Sequence, residues 1–303
     1  MLDIPYYLSP QHNPRMISAC IQEANRIYRL WCANNIGFAK DGRVHLIAHS
    51  LGSVMAIDIL SQQPTHADPQ YSDPSFPETD LPNDSFIFNT TNLFVCGSPV
   101  GLFLLMKNAN LLPRRGKEKP GAGMYATSGV AGEQGTYGCL AVDNIYNVIN
   151  PYDPVACRIN PTVDTVYAST LKPATVPSST SSYFSFLNPF RSSHSHNTTT
   201  ASKPTPLRLP STVELETHNF TREEIAEERA YLLNDNGQID YYMKYGGGPL
   251  EIQYLTMLGA HSSYWLSRDF VRMVVVEVGR EPGKEGTVGA MRAVKRKGVV
   301  SLD

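Results

Sequence analysis

The chain has 303 residues, with 26 basic against 28 acidic side chains and a formal net charge of −2. That length suffices for one large domain or two ordinary ones with a full core, and the near-neutral balance excludes a polycation that binds nucleic acid through bulk charge. No apolar run approaches the ~18 residues that span a bilayer, and the start, Met1-Leu2-Asp3-Ile4-Pro5, lacks the layout of a signal peptide. Five cysteines (Cys20, Cys32, Cys96, Cys139, Cys157) form no C-x-x-C pair, which argues against a disulfide framework or structural zinc and for a reducing compartment. A soluble intracellular globular protein is expected.

In chain order, the apolar run Ile4 to Leu8 counts as a first strand. Asn13-Pro14 reads as an N-cap with proline at the first helical position. Ile17, Ile21, Ala24, Tyr28 and Trp31 then recur at helical spacing, one face of a helix docked on a core. Val44 to Ala48 has the near-continuous apolar character of a buried parallel strand. After the tight Ser50-Leu51-Gly52, Val54 to Leu60 reads as a helix. The proline-rich stretch Ser61 to Thr91 reads as a long loop or cover. Asn92 to Cys96 and Asn144 to Ile149 are further buried strands, and the glycine-rich basic stretch Leu112 to Gly138 between them is expected to be flexible. Ser, Thr and Pro dominate residues 168–210, the composition of a disordered insertion. Order resumes at Thr221, where Thr-x-x-Glu (Thr221, Glu224) is a capping box before a helix reaching Leu233. Gln238 to Tyr242 and Val271 to Val278 are read as strands, and residues 281–303 as a solvated flexible tail.

Ala48-His49-Ser50-Leu51-Gly52 is the sharpest chemical signal. A serine on a strained turn between a buried strand and a helix projects its hydroxyl above the sheet, and the Leu51 amide can donate to an oxyanion. Small residues are expected two positions to either side; Gly52 meets that need, and Ala48 stands where glycine is usual. A serine hydroxyl needs a base, itself oriented by an acid, and in α/β-hydrolases the order is Ser, acid, His. His261 falls late, in a glycine-containing loop. Asp153 directly follows the strand at 144–149, where a sheet delivers side chains to its carboxyl edge. Asp240 is the alternative acid, and Asp269 a second carboxylate placed to support His261 or its loop. His49 reads as packing beneath the elbow, and His45, His66, His194, His196 and His218 are weaker bases. Asp153, Asp240, His261 and Asp269 are all hard-ligand types, but no close ligand spacing supports a metal. Ser98, in Gly97-Ser98-Pro99-Val100-Gly101, is a rival serine. Pro99 behind it has no amide for an oxyanion, so this segment reads as a rigid turn lining the cleft.

Asp153-Pro154, Gln238-Ile239-Asp240-Tyr241, and Ala260-His261 through Asp269, together with the elbow His49 to Ser53 and the turn Gly97 to Gly101, resemble the DDHD-domain proteins. Enzymes of that family are intracellular phospholipases A1 that prefer phosphatidic acid. The resemblance implies an α/β-hydrolase-like, mostly parallel sheet with helices on both faces, forming a single DDHD-type lipase domain over 1–303. Residues 1–60 would carry the nucleophile and 92–278 the DDHD region. Two to four strands usually precede such an elbow, and here only Ile4 to Leu8 does, so N-terminal strands read as missing. The resemblance also implies hydrolysis of the sn-1 acyl ester by Ser50, His261 and Asp153, without a cofactor. The protein would then be cytoplasmic and peripheral on intracellular membranes. Arg114, Arg115, Lys117 and Lys119, or the tail cations, are candidates to meet anionic lipid. The alternative is a phospholipid-binding or scaffold module without catalysis.

Overall fold

A computed structural model describes residues 7–117, 119–120, 129–178, 221–244 and 259–296. In chain order the elements are α1 (Asn13–Asn34), α2 (Phe38–Asp41), β1 (Val44–His49), α3 (Leu51–Gln62), β2 (Thr90–Cys96), α4 (Val100–Met106), β3 (Leu112–Pro113), β4 (Cys139–Leu140), β5 (Val142–Ile149), α5 (Asn160–Val163), α6 (Thr165–Thr170), β6 (Ala174–Thr175), α7 (Arg222–Leu233), β7 (Asp240–Tyr242) and α8 (Arg268–Gly279), with short 3-10 turns between some of them. β1, β2, β5, β7 and β6 lie side by side in that order, every pairing parallel. β3 and β4 form a separate parallel pair.

A parallel sheet needs cover on both faces, and side chains alternate between them. Leu93 and Val95 of β2 join Ile21 of α1, Val54 and Ile57 of α3 and Phe103 of α4 in one apolar cluster. Phe94 and Cys96, from the other face of the same strand, join Tyr146, Tyr241, and Phe270 and Met273 of α8. The result is a mostly parallel α/β sheet with helices on both faces, the architecture an α/β-hydrolase-like fold requires. No helix among the described residues is long and apolar enough to cross a membrane.

Several expectations need correction. Val271 to Val278 is not a strand but the body of α8. The Ser267 side chain caps that helix by accepting from the Phe270 amide, and its buried positions are Phe270, Met273 and Glu277. Val271 and Val275 face outward at 51% and 63% exposure. The β-branched run suggested a strand, but the three-to-four spacing of the buried positions decides for a helix. Tyr7 and Leu8 are helical, and the rest of the Ile4 to Leu8 run lies outside the described residues. His12, rather than Asn13, occupies the N-cap position of α1, without a side-chain cap. Trp31 leaves the buried face of that helix at 53% exposure and meets Phe38 edge-on.

Order also extends into segments expected to be loose. In the 61–91 loop Phe86, Ile87 and Phe88 are buried, because Gln63 and Asn25 satisfy the loop's backbone from inside. Arg114 is buried at 3% exposure, and its guanidinium donates to the carbonyls of Leu60, Ser61, Gln63 and Cys139. Lys119 is buried against Asp235, while Arg115 pairs with Glu133 and Lys117 with Asp143. Arg114 and Lys119 therefore serve buried intramolecular partners and present no charge to a lipid surface, whereas the Arg115–Glu133 pair is exposed; residues 121–128 lie outside the described residues. Ala168, Leu171 and Val176 are buried and β6 pairs with β7, so residues 168–178 are ordered; the remainder of the expected insertion, 179–210, lies outside the described residues. The tail packs too. Met291 is buried, the Lys172 amide donates to the Val294 carbonyl, and Lys295 pairs with Glu223.

Candidate active site

β1, β2 and β5 are adjacent and parallel, so the residues that follow them emerge along one carboxyl edge of the sheet. These are Ser50, Gly97 and the turn from Asn150 to Asp153. Ser50 links β1 to α3 with φ 54° and ψ −129°, a conformation that side-chain-bearing residues seldom adopt and that costs on the order of 1–3 kcal/mol. The surroundings impose it. The Ser50 amide donates to the Cys96 carbonyl at 3.0 Å, and Ser53 Oγ donates to the Ser50 carbonyl at 2.5 Å. Ser53 Oγ also shares a hydrogen bond with Ser98 Oγ at 2.7 Å.

Ser98 is fully buried, and its Oγ accepts from the Val100 amide as well; it braces the elbow rather than lining a cleft. The Leu51 amide heads the twelve-residue helix α3, where the first N–H groups have no carbonyl within the helix to receive them. A Cβ added at Gly52 would meet nothing within 4 Å, so the crowding expected at that position is absent.

His261 joins the serine to an acid. Its Nε2 stands 2.9 Å from Ser50 Oγ, and its Nδ1 stands 3.0 Å from each oxygen of Asp153. The Asp153 side chain is fully buried. It also accepts from the Tyr264 hydroxyl at 2.8 Å and from the Val155 amide at 2.9 Å. An ionised carboxylate only accepts, so Nδ1 carries a proton and the Nε2 lone pair faces the serine hydroxyl. Burial, with the Asp153 charge adding to it, pushes Tyr264 well above the usual phenol range, so it remains a donor. Burial likewise pushes the neighbouring Cys96 thiol up to about 12, which leaves it neutral.

The loop that carries His261 is pinned at several points. The Asn150 amide donates to the Tyr264 hydroxyl at 3.0 Å, and Asn150 Nδ2 donates to Ser263 Oγ at 2.9 Å. His49 Nε2 lies 2.6 Å from the His261 carbonyl oxygen, and the two rings are 4.6 Å apart between centroids. Gly97, at φ +56°, brings its backbone close to the group. A Cβ there would fall 2.9 Å from Asp153 Oδ2, 3.0 Å from Tyr264 Cε2 and 3.1 Å from His261 Cε1.

Asp240, the alternative acid, stands elsewhere. Its Oδ1 accepts from Asn147 Nδ2 and the Ile159 amide, and its Oδ2 from the Asn160 amide, with Arg158 Nε at 3.7 Å. Burial raises its pKa against those lowering contacts. Its oxygens tie β7 to β5 and to the start of α5. Asp269 lies in the first turn of α8, where a carboxylate is favoured by the helix dipole. Sequence reasoning missed Tyr264, Asn150 and the backbone contact of His49. The one available signal was proximity in the chain: His49 adjoins Ser50, Asn150 lies three before Asp153 and Tyr264 three after His261.

A profile of the DDHD domain matches residues 86–213 and 189–279, more than half of the chain. A Schizosaccharomyces pombe protein named as a probable mitochondrial phospholipase is 26% identical over 309 aligned positions, covering 92% of this chain and 37% of its own length. One from Saccharomyces cerevisiae with a similar name is 30% identical over 163 positions, covering 54% of this chain and 19% of its own. Human phospholipase DDHD1 is 26% identical over 202 positions, covering 54% and 21%. The chain thus spans much less than two thirds of the relatives it matches. No solved structure matches it.

Proposed function

Because the chain belongs to the DDHD-domain family, we propose that it is a serine ester hydrolase that cleaves the sn-1 acyl ester of glycerophospholipids, phosphatidic acid among them. The reading rests on one observation above others: His261 reaches Ser50 Oγ with Nε2 and both oxygens of Asp153 with Nδ1. The phospholipase names of the relatives described above support a phospholipid substrate. A phospholipid substrate would place the reaction at a membrane surface, and two of those relatives are named mitochondrial.

In this mechanism Ser50 Oγ attacks the ester carbonyl carbon while His261 Nε2 takes its proton. The carbonyl oxygen becomes an oxyanion and receives a hydrogen bond from the Leu51 amide. Collapse breaks the bond to the glycerol oxygen, which leaves with the proton from His261, and an acyl ester on Ser50 remains. Water then attacks that ester, giving its proton to His261, and the fatty acid departs as Ser50 recovers its proton. Asp153 holds the imidazole in the required tautomer and stabilises its charged form throughout. The test is fatty-acid release from phosphatidic acid vesicles bearing a different chain at each position. Ser50→Ala should lower release by at least about a thousandfold, and the wild type should release the sn-1 chain. Undiminished release by the variant would contradict the proposal, and lipid binding without turnover by the wild type would point to a binding module.

A further inference from the structure

We propose that His49 is a positioning residue for the reaction: it fixes the main chain of His261, so that the end of β1 grips the base at two points. The inference rests on the triad reading above and extends it. His49 ends β1 and Ser50 is the turn residue that follows it, so adjacent positions do different work. Ser50 Oγ meets the imidazole of His261 at 2.9 Å. The His49 ring, on the α8 side, meets the backbone of the same residue, with Nε2 at 2.6 Å from the carbonyl oxygen. A carbonyl only accepts, so His49 Nε2 carries a proton and donates.

The ring is itself fixed. It packs against His261 at 4.6 Å, Tyr264 at 5.9 Å and Trp265 edge-on at 5.9 Å between centroids. The opposite side of the loop is held from β5, where Asn150 bonds Tyr264 and Ser263. His49 therefore supplies the restraint on the nucleophile's side. Loss of that restraint lets the base drift while leaving the pocket intact, and a misplacement of about 1 Å costs roughly a hundredfold in rate. Neither burial nor charge explains a histidine at 49; a donor aimed at one carbonyl does.

Two variants separate the donor from the ring. His49→Gln keeps an N–H at the reach of Nε2 and loses the ring, while His49→Phe keeps the ring and loses the N–H. With a soluble short-chain ester, His49→Phe should lower kcat roughly 10- to 100-fold with KM and melting temperature unchanged. His49→Gln should stay within about threefold of wild type. Phe active with Gln inactive, both at wild-type rates, or both equally impaired, would overturn the inference. If either variant fails to fold, nitrogen NMR of the wild type decides: a protonated Nε2 on His49 with a slowly exchanging proton supports the brace, and the Nδ1-protonated tautomer overturns it. A wild type that neither turns over ester nor reacts with a fluorophosphonate contradicts the triad itself, whereas equal kcat in an active wild type and His49→Phe contradicts only the brace.

Discussion

Both oxygens of Asp153 stand 3.0 Å from Nδ1 of His261, whereas the oxygens of Asp240 are taken by Asn147, Ile159 and Asn160. The two acids should therefore fail differently. Asp153→Asn presents an amide to Nδ1, favours the wrong tautomer and should lower kcat by about 10³–10⁴ with little change in KM. Asp240→Asn turns an amide donor toward a backbone N–H and should cost roughly 1–3 kcal/mol of stability, while the folded fraction keeps its kcat. Steady-state kinetics paired with urea unfolding separates the two.

Gly97→Ala tests how closely the site is packed. Its Cβ would fall within 3.1 Å of Asp153, Tyr264 and His261 at a backbone φ of +56°. Left-handed backbone costs alanine roughly 1–2 kcal/mol, and the contact should displace the acid–base pair. The variant should lose both melting temperature and kcat, measured by calorimetry and ester hydrolysis.

Ser50→Gly should be inactive yet more stable than Ser50→Ala, because glycine accepts φ 54° and ψ −129° with little strain. The gain should be about 1 kcal/mol, the strain relieved less the added backbone entropy. Urea titration of the two inactive variants gives the difference.

Lys119 gives a pH signature. Burial lowers its pKa to about 8 against the raising influence of Asp235; in the unfolded chain it titrates near ~10.4. Between those values the unfolded chain binds more protons, so this group makes stability rise with pH across that window and contributes no slope below it. Lys119→Met abolishes the term. The stability difference between wild type and variant should stay flat from about pH 6 to 8 and grow in favour of the wild type toward about pH 10. Asp235 keeps Arg280 at 2.7 Å in the variant, and its own titration acts only in acid.

The sheet and the convergence of Ser50, His261 and Asp153 were legible because each leaves a local mark. The runs at 44–48, 92–96 and 144–149 are mostly apolar, as parallel strands are, and Asp153 follows one of them directly; the first was read as buried, but β1 lies at the edge of the described sheet with Ile47 43% exposed. The α8 helix was misread because Val274, Val275 and Val276 look like a strand until the partners of Phe270 and Met273 are known. Arg114 and Lys119 were misread because a burying partner distant in sequence leaves no trace beside a cation. The His49 brace was hidden for a related reason: its partner is a backbone carbonyl, which every residue possesses and no sequence distinguishes.

The central claim is that Ser50 is a nucleophile activated by His261. Reaction of the intact chain with a fluorophosphonate, followed by mass spectrometry of its peptides, tests it most directly. One adduct per chain on Ser50, absent in Ser50→Ala and slowed by at least about a hundredfold in His261→Ala, is the predicted result. No adduct on the folded wild type, or an adduct on Ser98 in its place, would contradict it.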